Sequence, residues 1–152
     1  MRNRKLDRAL KNYSVAFEKI KEKTGMIAMN CYHRKLPKVT LIDWQNQKHI
    51  VDLTGIAFII QRKAVPVSKK LEFASNPESV IFLLREFIEK QVKCGFVDIE
   101  PKFVSENYGF VDDVPVYIDL GRIEYREEVR KNPEAEIQRM RRHLDKCAKK
   151  PS

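Results

Sequence analysis

Leu6, Leu10, Tyr13, Phe17 and Ile20 recur at helical spacing with lysines and arginines between them, and Gly25 follows as a stop. The spacing predicts an amphipathic helix over residues 4–24. From Met26 the period shortens. Four β-prone runs follow, Met26–Tyr32, Val39–Trp44, Lys48–Leu53 and Ile56–Ile60, with Asn46-Gln47 placed where a tight hairpin turn belongs. The next helix is marked at both ends. Asn76 can cap, Pro77 suits the first helical position, Glu78 suits the positive end of the dipole, and Gly95 suits the exit. Val80, Ile81, Leu84, Phe87, Ile88 and Val92 form its broad apolar face. Two more strands, Tyr108–Val111 and Val114–Ile118, enclose Asp112-Asp113 as a turn. Asn132-Pro133-Glu134 then repeats the helix-start chemistry for a helix over 133–148, with Ile137, Met140, Leu144 and Ala148 on one stripe.

Helix, strand cluster, helix, strand pair, helix is the order of an α+β fold, a small antiparallel sheet packed with three main helices. Residues 64–75 and 122–131 lack clear periodicity and are expected to be connections. At 152 residues and 43% hydrophobic content the chain suits a single domain over 1–152. Its net charge of +9 sits at the ends: residues 1–23 carry +5, residues 24–121 carry none and residues 122–152 carry +4. Basic terminal helices on a neutral body would attract anions through a field that salt screens. Cys31, Cys94 and Cys147 are odd in number and lack paired spacing, which points away from a disulfide framework or zinc site and toward a reducing, cytoplasmic setting. No stretch approaches the roughly 18 apolar residues that a membrane span requires.

The candidate chemistry lies in Asn107-Tyr-Gly-Phe-Val111 and in Val116-Tyr-Ile-Asp-Leu-Gly121. Residues 77–121 resemble the part of a protein-kinase-like or aminoglycoside/choline-kinase-like phosphotransferase that runs from a long buried helix through a catalytic loop into a hairpin ending in Asp-x-Gly. The same Asn-Tyr/Phe-Gly-Phe and Ile-Asp-x-Gly-Arg pattern is similar to an uncharacterised group of proteins from chlamydia-like intracellular bacteria. The resemblance implies a truncated protein-kinase-like core. In it Asn107 and Asp119 would hold magnesium against the phosphates of ATP, with Gly121 the flexible residue after the metal ligand. The helix at 4–24 would stand at the family's regulatory helix, and Phe58–Ala64 would approach its hinge.

Other parts of that machinery are replaced. The position five residues before Asn107 is Lys102, a cation that cannot accept a proton as a carboxylate does, and Asp98, Glu100 and Glu106 stand at other offsets. The five glycines are all isolated, so no Gly-rich phosphate loop is formed. The resemblance with these departures implies a catalytically impaired binding module, with an unidentified protein as the first expected partner. The alternative is nucleic-acid binding through Arg139, Arg141, Arg142 and Lys146 on the last helix, each phosphate contact adding salt-sensitive affinity. Trp44 is expected to be half-buried by sheet packing, with a partner anchor as the alternative, and Cys94 is expected to act as a small buried hydrophobe. His33, His49 and His143 share no metal-like spacing.

Overall fold

The computed structural model describes residues 4–30 and 38–148, with side chains from Asp7 onward. Cys31, Tyr32, His33, Lys149 and Lys150 lie outside the described residues. The fold is α+β. Helix α1 (Arg4–Ile20) ends in a 3-10 turn (Lys21–Lys23) and leads into β1 (Met26–Asn30), β2 (Val39–Ile42), β3 (Lys48–Val51) and β4 (Phe58–Gln61). A short strand β5 (Val65–Pro66), α2 (Val67–Glu72) and the long α3 (Pro77–Lys93) come next, followed by β6 (Phe96–Asp98) and α4 (Val104–Asn107). The hairpin β7 (Tyr108–Val111) and β8 (Val114–Tyr117) precedes β9 (Ile123–Tyr125), α5 (Glu127–Lys131) and α6 (Glu134–Ala148).

Among the described residues the strands form four small antiparallel sheets: β1 with β4, β2 with β3, β5-β7-β8, and β6 with β9. The sequence anticipates a single sheet; the helices instead divide it, because α3 lies beside both β6 and β8. The caps of α3 form as their residue types require. The Asn76 carboxamide accepts from Ser79 N at 3.2 Å, and Gly95 leaves the helix at φ +90°, a left-handed conformation that glycine adopts without a Cβ penalty. The predicted apolar face of α3 is buried in full, and Ile137, Met140 and Leu144 of α6 are buried with it. Each such side chain contributes about 1.5–3 kcal/mol of hydrophobic stabilisation when fully covered.

The two expected connections carry structure. Residues 64–75 supply β5 and α2, and residues 122–131 supply β9 and α5, because each is paired by a distant partner: Pro66 with Gly109, and Phe96 with Tyr125. Cys94 is exposed at the end of α3, not buried, since the helix turns away one residue later. Trp44 is 90% exposed. It sits at the tip of the β2–β3 hairpin, where no sheet packing reaches it.

Gly109 of the Asn-Tyr-Gly-Phe run is fixed by close approach. A Cβ built there would lie 2.5 Å from Ile118 Cδ1 and 2.6 Å from the Val65 carbonyl oxygen. The methyl end of the Ile118 side chain can move, but that carbonyl belongs to the β5–β7 ladder. Gly109→Ala is therefore expected to lose roughly 1–3 kcal/mol by overpacking. Thermal unfolding followed by circular dichroism checks it, and an unchanged melting temperature would show that β5 can yield.

Candidate functional site

The β7–β8 hairpin pairs Tyr108 with Tyr117, Gly109 with Val116, Phe110 with Pro115 and Val111 with Val114. Its turn residues Asp112 and Asp113 both take positive φ, 49° and 63°, the conformation that matches the twist of a two-residue hairpin. Arg62 holds Asp112 at 2.6 Å, and Lys70 pairs with Asp113. Closing the hairpin returns its two ends to one edge. The Asn107 carbonyl accepts from Ile118 N at 2.8 Å and from Asp119 N at 3.3 Å.

The backbones of Asn107 and Asp119 therefore meet, while their side chains diverge. Asn107 is 2% exposed, and its Nδ2 donates to Asp98 Oδ2 at 3.0 Å. Asp119 faces outward. Its Oδ1 accepts from Gly121 N at 2.9 Å, an Asx-type turn, and its Oδ2 lies 3.3 Å from Arg122 Nε. Of the two oxygen-bearing groups that the resemblance assigns to magnesium, Asp119 alone reaches the surface, so the fit to a shared ion is incomplete. Among the described residues no group of three or more His, Cys, Asp or Glu side chains is gathered for a metal.

Gly121 packs against α1. Its carbonyl accepts from Asn12 Nδ2 at 3.1 Å, and a Cβ there would lie 3.4 Å from Ala9 Cβ. The tight approach is to Asp119 Oδ1, 3.1 Å from that Cβ, and this closeness, not a left-handed backbone, is what the position asks of glycine. Tyr13 from the same helix lies beside the turn, and burial followed by the Asp119 charge pushes its phenol above the usual range. Lys102 stacks its ammonium over Phe103 at 4.8 Å, and Arg122 lies over the same ring at 4.7 Å while pairing with Glu100. Lys102 and Arg122 thus place two cations on one aromatic face.

Asp98, set aside in the sequence as standing at the wrong offset, is the buried acid of this region at 2% exposure. Its Oδ1 accepts from Glu100 N at 2.8 Å and its backbone carbonyl accepts from the Arg139 guanidinium. Desolvation raises its pKa above the usual carboxylate range, against the opposing effects of Asn107, Glu100 N, Arg139 and Arg122. The signal that could have found it is the apolar pair Phe96-Val97 directly after the glycine that ends α3: a carboxylate closing such a run enters the core.

The basic helix is partly spent on the body. Arg139 bonds Glu136 through Nε at 2.9 Å besides its bond to Asp98, and Arg141 Nε bonds Glu89 at 2.7 Å. That contact is the main reason the Glu89 carboxyl is held below its ordinary pKa. Arg142 and Lys146 remain exposed cations. His49 pairs with Asp43 at 2.8 Å. Among the described residues, no helix is long and apolar enough to cross a membrane. Comparison with protein-family models, with curated proteins and with solved structures finds no match to this chain.

Proposed function

We propose that this chain is a kinase-like binding module that works through protein contact and does not transfer phosphate. The observation that carries the reading is the contrast between the two halves of the surface chemistry. Around the Asp-Leu-Gly turn, Asn107 is consumed by Asp98, Asp119 by Gly121 and Arg122, and Lys102 occupies the place of the base. Elsewhere large apolar groups stand in solvent: Trp44 at 90%, Phe73 at 79%, Ile50 at 76% and Phe82 at 59% exposure. Side chains of that size outside a core are the usual material of contact surfaces.

The order α1, β2 and β3, β4 at the hinge position, α3, hairpin and Asp-Leu-Gly turn supports the kinase-like part of the proposal, since it follows the order that the resemblance implies. Magnesium and ATP keep one foothold, the half-exposed Asp119 carboxylate. Thermal shift with ATP and magnesium measures it: a rise in melting temperature that Asp119→Ala abolishes assigns weak nucleotide binding to the turn. No ATP turnover is expected from the purified protein. Turnover that disappears in Asp119→Asn would overturn the proposal and restore a phosphotransferase.

A further inference from the structure

The charged side chains of α6 are not equivalent. Arg141 pairs with Glu89 of α3, and Asp145 pairs with Arg85 on that same α3, so one flank of the helix is neutralised against the body. Arg139 pairs with Glu136 within the helix. Among the described residues Arg142 and Lys146 have no acid partner, and both are exposed. The half-buried His143 shares their side. Residues three and four apart are neighbours on a helix, so Lys146 lies beside both His143 and Arg142, while Ile137, Met140 and Leu144 are buried on the other side. Residues 142 to 146 occupy about 6 Å of helix axis.

The field at this place is positive. Burial first, then the charges of Lys146 and Arg139, hold the His143 imidazole below its ordinary pKa, with Arg142 adding to them and the buried Asp98 of β6 opposing. Two further elements pack on α6: α4, which carries Glu106, and a 3-10 turn (Pro101–Phe103), which carries Lys102. A dense anion laid along residues 142–146 would reverse that field and favour the protonated imidazole. Two cations would then become three.

We propose that Arg142, His143 and Lys146 form a binding site for the phosphodiester backbone of a nucleic-acid strand, with His143 taking up a proton from solvent as the strand binds. The inference goes beyond the protein-contact reading and rests on other residues. Charge density selects the occupant. Three cations within about 6 Å repel one another, and nucleic acid, with one charge per roughly 1.7 Å of duplex axis, is dense enough to offset that. A lipid surface fits less well, because the apolar side of α6 is spent on the core and leaves nothing to enter a bilayer. The described helix carries no Phe, Tyr or Trp on which bases could stack, so binding is expected to be independent of sequence.

Fluorescence anisotropy of a labelled oligouridine titrated with the full chain, across salt concentration and at about pH 7.5 and about pH 5.5, is the test. Two contacts give a slope of log affinity against log salt of about −1.4 at the higher pH, and the third steepens it to about −2.1 at the lower. His143→Gln is expected to keep the shallower slope at both. Arg142→Ala combined with Lys146→Ala is expected to weaken binding about tenfold or more, whereas Arg141→Ala, whose charge is spent on Glu89, changes it less than about threefold. Because residues 142 and 146 are exposed, the melting temperature of the double variant verifies that it folds. Polyglutamate and vesicles rich in phosphatidylserine are the competing probes. No oligouridine binding at low salt, equal affinity for polyglutamate, tighter binding to the vesicles, or a slope that steepens as much in His143→Gln overturns the proposal. None of these outcomes bears on ATP turnover, so the phosphotransfer question is decided separately.

Discussion

Tyr117→Ala is expected to remove roughly 3–5 kcal/mol of folding stability, the range for deleting a buried aromatic side chain. Tyr117 is 1% exposed and faces Tyr108, also 1% exposed, across the hairpin. Its ring centroid lies 5.1 Å from that of Tyr108 and 5.2 Å from that of Phe87 on α3. The three rings join the hairpin to the long helix, so truncation opens a cavity at the joint between them. A domain of this size has about 5–15 kcal/mol in all, and the variant would therefore stand near the unfolding threshold. Tyr117→Phe keeps the ring and loses the hydroxyl contact with Tyr108, an expected cost of about 1 kcal/mol. Urea unfolding of the two variants separates ring packing from the hydroxyl. A loss below about 1 kcal/mol for alanine would show that hairpin and helix are joined elsewhere.

Asp98→Ala is expected to cost roughly 2–4 kcal/mol, because it strands the buried donor Asn107 Nδ2 and the part-buried Glu100 N, and takes a carboxylate away from Arg139. The lost desolvation penalty of the acid returns part of that, which keeps the figure below the cost of breaking a fully paired buried ion. The pH dependence has a definite sign. Burial holds the folded-state pKa of Asp98 above its ordinary value. Its contribution to stability is complete below the unfolded pKa and is lost as pH rises through the raised folded pKa. Glu127 runs the other way. Arg130 and then Tyr125 lower it to about 2, so its contribution is present above the unfolded pKa of 4.5 and fades as pH falls toward 2. Subtracting the melting-temperature profile of Asp98→Asn from that of the native chain should leave a difference that declines with rising pH above 3.8. A difference that rises with pH would show the Asp98 carboxyl to be stabilised in its charged form.

These two residues also divide what was legible. The cap at Asn76, the exit at Gly95 and the apolar face of α3 act within a few residues of one another, and the helix formed where those signals stood. The same holds for the turn at Asp112-Asp113, where two short polar residues between β-branched runs accept a left-handed backbone. Strands β6 and β9 are three residues each, too short to show a period, and each exists because the other is there. The resemblance makes Gly121 a flexible residue after the metal ligand, while in the fold the Asp119 carboxylate crowds it and Asn12 of α1, a hundred residues away in the chain, bonds its carbonyl.

The candidate site divides along the same line. That Asn107 and Asp119 are brought to one edge follows from a two-residue turn between equal strands, and the chain's order alone dictates it. Which way their side chains face does not, because Asn107 is drawn inward by a carboxylate on β6 and Asp119 is held outward by Arg122. Likewise the lysines and arginines of α6 are visible as a list, but Glu89 of α3 and the Asp98 carbonyl decide that Arg141 and Arg139 are committed to the body. Local sequence set the long helices and the Asp112-Asp113 turn, since propensity, caps and turns are short-range effects, whereas β5, β6 and β9 needed their distant partners. Tertiary packing set the chemistry, since burial and pairing depend on groups that only the folded chain brings within a few ångströms.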